Sequence, residues 1–256
     1  MVGAQVREWR TRRRLTQLEL ALDAGISARH LSFVETGRSK PGRDLLMRIL
    51  EELDVPYRER NQLLLAAGHA PAFPERSLGD PELAPVRDAL DLILSRHEPY
   101  PAIAIDRGWN LVAANGAVTA LVAELDIDPA LLEPPVNAVR VGLHPRLAPL
   151  IPDLPAWRAY LRERIERQYA TSGGEDLLDL IEELTDDGDV SSSALAANGF
   201  LGPLRVRRPD GVELAFFGMF AIFDTPFEVT TSELAIELLF PADAATAVHF
   251  GARRSS

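Results

Sequence analysis

Hydrophobic residues recur at helical spacing in residues 12–43, where Gly25 and Gly37 separate the apolar stretches. Thr16, followed three residues later by Glu19, has the pattern of a capping box, which predicts the start of a helix. Gly25 permits the left-handed turn that ends a short helix and leads into a packed neighbour. The pattern therefore predicts a two-turn helix, one face of which carries Leu18, Ala21 and Leu22.

A second helix is predicted between Ser27, a favourable N-cap, and Gly37, a favourable stop. Leu31 and Val34 are three residues apart and point inward. The opposite face presents Ala28, Arg29, Ser32 and Phe33. Two capped helices joined by a glycine turn predict a helix-turn-helix, whose second helix lies in the major groove of DNA with its first residues on base edges.

The expected DNA contacts divide into base readers and phosphate contacts. Arg29 is the best base reader, because arginine bonds two guanine acceptors at once. Phe33 has two interpretations, contact with a thymine methyl group and packing in the core. Gln17 and the basic residues after the second helix are expected on phosphates, although a solvated surface charge is the simpler interpretation of any one basic residue alone. The whole expected set is Gln17, Ser27, Ala28, Arg29, Ser32, Phe33, Arg38, Lys40 and Arg43.

The stretches TQLELALDAGIS (16–27) and LSFVETGR (31–38) resemble the Cro/lambda-repressor-like family, also called the xenobiotic-response-element family. The resemblance covers residues 3–68 and implies five helices. It also implies that an arginine of the first helix pairs with the glutamate before the glycine that ends the reading helix. Arg10 and Glu35 occupy these places, so we expect a largely buried ion pair that fixes the first helix against the reading helix.

Proline and glycine mark the boundaries that follow. Apolar positions from 45 to 53 predict a fourth helix, and Pro56 opens a fifth helix that ends near Gly68. A proline-rich connector leads into an amphipathic helix at 82–97, which is also a candidate dimer helix. The predicted domains are a DNA-binding domain at 1–70, a linker with a connecting helix at 71–98, and a second domain at 99–256.

The fold class predicted for the chain is α+β, because the second domain has two strands, a helical middle and a three-stranded antiparallel return. Asn115 is expected to cap a short helix, and residues 125–154 are expected to be irregular. Strands are predicted at 102–106, 109–114, 204–208, 212–223 and 233–240, helices at 157–169, 175–184 and 241–250, and a polar loop at 185–198. This is the plan of a PAS-like sensor domain with a five-stranded antiparallel sheet.

From Tyr100 onward the chain resembles the ligand-binding domain of MmyB-like transcription regulators. The resemblance implies a small, mostly apolar ligand, with fatty-acyl-like molecules as the leading candidate. No cofactor is required. The matching stretches are PAIAIDRGWNLVAAN (101–115), NAVRVGLHP (137–145), WRAYLRER (157–164) and SELAIELLFPADAAT (232–246).

An apolar pocket with a few placed polar groups is the usual design of such a ligand site. Arg140 and His144 are candidates to meet a ligand carboxylate, and Phe216 belongs to a phenylalanine-rich strand that needs cover on both faces. The other interpretations are that the asparagines cap helices, that the tryptophans belong to the core, and that Arg140 pairs with an internal carboxylate. The candidate ligand-binding residues are Trp109, Asn115, Asn137, Arg140, His144, Trp157 and Phe216.

Charge separates the two halves of the 256-residue chain, whose net charge is −11. Residues 1–70 hold 12 Lys or Arg and 9 Asp or Glu, whereas residues 71–256 hold 15 and 29. Only the amino-terminal part therefore suits a polyanion. There is no cysteine and no apolar run long enough for a membrane span. We expect no signal peptide and a bacterial cytoplasmic location.

Enzymatic motifs are missing from the sequence: it has no phosphate loop, dinucleotide fingerprint or nucleophile elbow. The acidic run 186–189 resembles a calcium loop only faintly, and no histidines stand at metal spacing. We therefore expect no enzyme and no metal site. The sequence predicts a homodimeric transcription regulator that binds double-stranded operator DNA and a small apolar ligand. The alternatives are a second domain that binds a partner protein, and an enzyme fused to a DNA-binding domain.

Overall fold

The computed structural model describes residues 2–185, 204–224, 226 and 228–251. The chain folds into two compact units, the first built mainly from residues up to Arg76 and the second mainly from Ser77 onward. The expected polar loop at 185–198 lies outside the described residues except for residue 185. The acidic run 186–189 lies wholly outside them. The fold is mixed α+β, as predicted.

Residues 2–66 of the first unit form five helices, as the sequence predicts. Their bounds are α1 Val2–Arg12, α2 Gln17–Asp23, α3 Ala28–Glu35, α4 Arg43–Glu52 and α5 Tyr57–Ala66. The helices close around one apolar core, in which the largest buried side chains are Leu20, Leu31, Leu46, Ile49, Leu50, Leu53, Leu63 and Leu64.

The predicted caps of the helix-turn-helix are confirmed. Thr16 accepts a hydrogen bond from the backbone N–H of Glu19 (3.2 Å), and the Glu19 carboxylate accepts one from the backbone N–H of Thr16 (2.7 Å). Ser27 Oγ accepts from the N–H of His30 (3.1 Å) at the start of α3. Gly25 and Gly37 adopt φ of +67° and +74°, which lets the chain leave each helix in a tight turn.

The predicted apolar face of α2 is wrong in part. Leu18 and Leu22 are 62% and 73% exposed, whereas Leu20 and Ala21 are buried. A helix of two turns with leucines at every second position offers two adjacent apolar stripes, and spacing alone does not decide between them. The neighbouring helices select the stripe that Leu20, Ala21 and Ala24 form.

A five-stranded antiparallel sheet in the order β2-β1-β5-β4-β3 organises the second unit. The strands are β1 Ala102–Ile105, β2 Leu111–Ala114, β3 Leu204–Arg207, β4 Glu213–Ile222 and β5 Ala235–Pro241. The remaining helices of the described chain are α6 Ala84–Arg96, α7 Gly116–Glu124, α8 Ala138–Leu143, α9 Leu154–Ser172, α10 Glu175–Leu184, α11 Val229–Ser232 and α12 Ala244–Gly251, with short 3-10 turns at Pro81–Leu83, Pro129–Leu132 and Ala148–Leu150.

Apolar helices cover the two faces of the sheet. On one face α6 packs Leu90 and Leu94 against Ala102, Ala104 and Ile236. The other face carries a larger cluster with α8, α9 and α10, whose buried members are Ile105, Trp109, Val139, Leu161, Ile165, Leu177, Leu180 and Leu184. Alternate residues of β1 thus enter opposite cores, as the twofold period of a strand requires.

Differences from the predicted elements have local causes. Strand β2 begins two residues later than expected, because Trp109 has φ of +66° and the Asp106 carboxylate accepts a hydrogen bond from the N–H of Asn110 (2.8 Å). Helix α8 lies inside the stretch expected to be irregular, where Asn137 caps it through the N–H groups of Val139 and Arg140 (3.2 Å each). Within the described ranges, no helix is both long and apolar enough to cross a membrane.

Candidate functional site

The outer face of α3 is the candidate DNA interface. Arg29 is exposed, and its guanidinium carbon lies 5.4 Å from the centre of the Phe33 ring. The guanidinium carbon of Arg38 lies 5.9 Å from the same ring. Phe33 is half-buried and stands outside the core cluster of the first unit. Of the two interpretations of Phe33, the structure favours an outward one, in which the ring supports two cations.

Serine and alanine complete the amino-terminal end of this face. Ser27 is exposed while its hydroxyl oxygen caps α3, so it stands where a reading helix meets base edges. Ala28 is half-buried and packs partly against the core. Ser32 is half-buried, one turn further along the helix.

The predicted ion pair of Arg10 and Glu35 is confirmed. Nε and Nη2 of Arg10 donate to the two carboxylate oxygens of Glu35 at 2.7 and 3.1 Å. The side chains are 13% and 1% exposed, so the pair is largely removed from water. Gln17 was expected on a phosphate, but its Nε2 donates to Glu35 Oε2 (2.7 Å). One carboxylate thus joins α1, α2 and α3, and one amide donor of Gln17 is engaged inside the protein.

Arg38, Lys40 and Arg43 follow α3 and are all exposed. None of the three forms an ion pair with any residue that the structure describes. Their charges are therefore available to a polyanion, which is the property expected of phosphate contacts.

A partly open cavity of about 220 Å³ in the second unit is the candidate ligand site. It lies between one face of the sheet and helices α8 and α9. Apolar side chains make most of its wall, and the residues that line it are Ile103, Trp109, Ala138, Val139, Ile151, Asp153, Ala156, Trp157, Tyr160, Leu161, Leu204, Arg205, Gly218, Glu237 and Leu239.

Two of the predicted ligand residues, Trp109 and Trp157, line this cavity. The indole N–H of Trp109 donates to Oε1 of Gln168 (3.0 Å), which fixes the ring at the wall. Trp157 packs so closely on Gly142 that a Cβ there would lie 2.3 Å from the indole. The side-chain hydrogen bond to Gln168 and the missing side chain of Gly142 therefore fix the positions of these two rings, which supply large flat surfaces of the cavity wall.

Arg140 and His144 are not among the residues that line the cavity. Nη2 and Nε of Arg140 donate to the carboxylate of Glu183 at 2.7 and 3.0 Å, and this hydrogen-bonded pair raises the pKa of the arginine. Nδ1 of His144 accepts from the N–H of Arg146 (3.3 Å). The expectation that both face a ligand carboxylate is not supported by this placement, since Arg140 has the internal partner that the other interpretation requires.

Asn115, Asn137 and Phe216 also lie away from the cavity wall. The two asparagines are buried caps of α7 and α8, as the other interpretation holds. Phe216 is fully buried and packs its ring 5.6 Å from the ring of Phe250, in a core cluster of its own. Phe216 is thus covered by protein, whereas Phe217 and Phe220 of β4 are only partly buried.

Glu237 is the cavity residue that the sequence reasoning missed. It interrupts the apolar strand β5 and lines the cavity together with the polar residues Asp153, Tyr160 and Arg205. Burial raises the pKa of Glu237 to about 7, and the attraction of Arg164 offsets only part of that effect. An acidic residue at an inward position of an apolar strand was the available signal.

Comparisons with known proteins identify the two domains in which these candidate sites lie. A family model described as the MmyB-like transcription regulator ligand binding domain matches residues 86–250, and a helix-turn-helix model matches residues 6–60. The chain is similar to "Uncharacterized HTH-type transcriptional regulator RghRB" of Bacillus subtilis (strain 168), at 36% identity over 107 residues that span 41% of this chain and 68% of the relative.

A solved chain, from "Structure of an RNA-binding Light-Oxygen-Voltage Receptor", is similar at 13% identity and a TM-score of 0.29. That match covers 97% of this chain, which spans 62% of the solved one. The family assignment rests on the model that matches most of the chain and on the curated relative. The chain belongs to the MmyB-like transcription regulators, and it is a DNA-binding regulator with a helix-turn-helix before its ligand-binding domain.

Proposed function

We propose that this protein is a cytoplasmic one-component regulator that binds operator DNA as a homodimer and responds to a small, mostly apolar ligand. The observation that carries the proposal is the largely apolar cavity in a domain whose family is described by ligand binding. The fatty-acyl-like ligand implied by the family remains the first class to test.

The DNA half of the proposal rests on the outer face of α3. Arg29 is exposed at the second position of the helix, where base edges are contacted. The exposed cations Arg38, Lys40 and Arg43 follow it and suit the phosphates on either side of a groove. The excess of basic residues in the first 70 positions favours the same partner.

The DNA test begins with selection of a binding sequence from a random pool by the full-length protein. Arg29→Ala should weaken binding to the selected sequence by about 10- to 100-fold, with a much smaller effect on a shuffled sequence. Arg48→Ala removes an equal charge from an exposed site on α4 and serves as the matched control. Equal losses on both sequences would mean that Arg29 contacts only phosphate.

The ligand test is native mass spectrometry of the purified protein followed by organic extraction. A bound small molecule that is released by the extraction supports the sensor function and identifies its class. Recovery of a stoichiometric protein partner with an empty cavity would instead favour a partner-binding regulator. The same spectra give the oligomeric state without DNA.

Signal transfer is proposed to use the sheet as the moving part. The cavity lies on one face of the sheet, and α6 packs Leu90 and Leu94 on the other face. A ligand that repacks the cavity wall changes the surface on which α6 rests, and α6 in turn sets the half-site spacing of the dimer.

A further inference from the structure

The proposed function does not yet explain one feature of the cavity, the space beside the Glu237 carboxylate. Glu237 stands opposite Phe220 of β4, and the neighbouring cavity position on β4 is Gly218. A Cβ on Gly218 would lie 2.9 Å from Oε1 of Glu237. Any larger residue at 218 would therefore displace the carboxylate, so the glycine keeps room for this acidic group in an apolar wall.

The carboxylate has no internal hydrogen-bond donor within the described part of the chain. Arg164 is near enough to attract it electrostatically, but the two make no hydrogen bond. The Arg164 guanidinium instead lies over the Phe220 ring, with its carbon 3.3 Å from the ring centre, and its Nε is buried without a hydrogen-bond partner. The Glu237 side chain is partly buried, and a carboxylate partly removed from water without donors is costly to ionise, which is expected of a group kept for binding more than for folding.

Asp153 and Arg205 are the other charged residues that line the cavity. Asp153, at the start of α9, accepts a hydrogen bond from the N–H of Ala156 (3.3 Å) and acts as its cap. Arg205, on β3, is half exposed and lies 3.9 Å from Glu213 on the sheet surface. Asp153 is thus engaged by the backbone and Arg205 lies within reach of Glu213, whereas Glu237 is a cavity acceptor without a donor among the described residues.

We propose that the ligand of this cavity is an apolar molecule whose polar end is a hydrogen-bond donor, with a protonated amine as the strongest form, and that Glu237 accepts from it. This inference rests on the proposed ligand-sensing function and narrows its chemical class. A free carboxylate would bring a second acid beside Glu237, which is unfavourable unless one of the two is protonated. The acyl chain that the family resemblance implies suits the apolar walls, but its acid end group does not suit Glu237.

The test is calorimetric titration of the full-length protein with three probes of one chain length, octylamine, octan-1-ol and octanoate, at pH 6 and pH 8. An alkyl amine keeps its proton at both values, because its pKa is about 10. Octylamine should bind about tenfold more tightly than octanoate at pH 8, and its affinity should rise from pH 6 to pH 8 as Glu237 ionises.

Variants assign the effect to the residue. Glu237→Gln should reduce octylamine affinity about tenfold at pH 8 and abolish the rise with pH. Glu213→Gln makes the same change on the surface of β4, where Glu213 pairs with Arg207 at 2.7 Å, and should leave octylamine binding unchanged. Circular dichroism of each variant shows whether the fold is kept.

Two outcomes would overturn the inference in different ways. Tighter binding of octanoate than of octylamine, unaffected by Glu237→Gln, would show that the site takes acids, and ligand sensing itself would stand. Binding of none of the three probes would overturn this inference alone, because the ligand function is tested separately by extraction of the purified protein and the DNA function by Arg29→Ala.

Discussion

Glu237→Gln should make the stability of the second unit less dependent on pH. Burial raises the pKa of Glu237 from an ordinary 4.5 to about 7 in the folded protein. Below pH 4.5 the carboxyl is protonated in both the folded and the unfolded state, so its burial lowers the free energy of unfolding only slightly. Between pH 4.5 and pH 7 the folded state holds a proton that the unfolded state has lost, so stability falls as pH rises, and above pH 7 the full penalty remains.

The size of the penalty follows from the pKa change. At about 1.4 kcal/mol for each tenfold difference in proton affinity, ionising Glu237 destabilises the folded state by about 3 kcal/mol at pH 8 and by under about 1 kcal/mol at pH 5. Glutamine has nearly the same shape and no charge. The variant should therefore exceed the parent in free energy of unfolding by about 3 kcal/mol at pH 8, and by little at pH 5.

Urea unfolding without ligand measures this difference, with tryptophan fluorescence as the probe. The chain has three tryptophans, and Trp9 lies in the first unit. A Trp9→Phe background leaves Trp109 and Trp157, both in the second unit, so the signal reports that unit alone. Other titrating groups cancel when parent and variant are compared at the same pH.

Glu213→Gln on the surface of the same sheet is the control for the loss of a glutamate charge away from the cavity. An equal effect of Glu237→Gln at pH 5 and pH 8 would show that Glu237 titrates normally in the fold. A variant less stable than its parent at pH 8 would show that the carboxylate has a favourable partner, and the case for an unsatisfied binding group would fail.

Three further predictions concern the ion pair, the phosphate contacts and the cavity wall. Glu35→Ala should lower the free energy of unfolding of the first unit by about 3–5 kcal/mol in urea denaturation, because it leaves Arg10 buried and unpaired. The double change Arg10→Met with Glu35→Leu should recover most of this loss. A loss under about 1 kcal/mol for Glu35→Ala would contradict the prediction. Lys40→Ala should weaken binding to all DNA sequences and reduce the slope of log K against log salt by about 1, and an unchanged slope would exclude a phosphate contact. Gly142→Ala should displace the Trp157 ring and weaken ligand binding with little change in DNA affinity; unaltered ligand affinity would show that this wall is not used.

The helix-turn-helix could be predicted closely because its signals are local. Caps, glycine turns and inward positions such as Leu31 depend on residues within one or two helical turns. The exposure of Leu18 and Leu22 could not be predicted, since it depends on which stripe of α2 the neighbouring helices cover. The Arg10–Glu35 pair was expected from a family resemblance, and the added contact from Gln17 was not.

The residues of the ligand cavity are harder to predict from the sequence than those of the helix-turn-helix. The sequence predicts that Trp109 and Trp157 shape a ligand pocket, and both line the cavity. Arg140 was selected for its charge, but its partner Glu183 lies 43 positions away and is brought to it only by the fold. Glu237 was missed because its importance depends on the register of β5 with β4, which sets Gly218 beside it.

The division of α3 into two faces has an evolutionary consequence. Leu31 and Val34 hold the helix in the core, whereas Arg29 and Phe33 contribute little to that core and stand on the outside. Substitutions on the outer face can therefore change which operator is recognised without a loss of fold. Paralogues that share this scaffold can diverge to separate target genes through a few changes in one helix, while Glu35 holds the orientation of that helix constant.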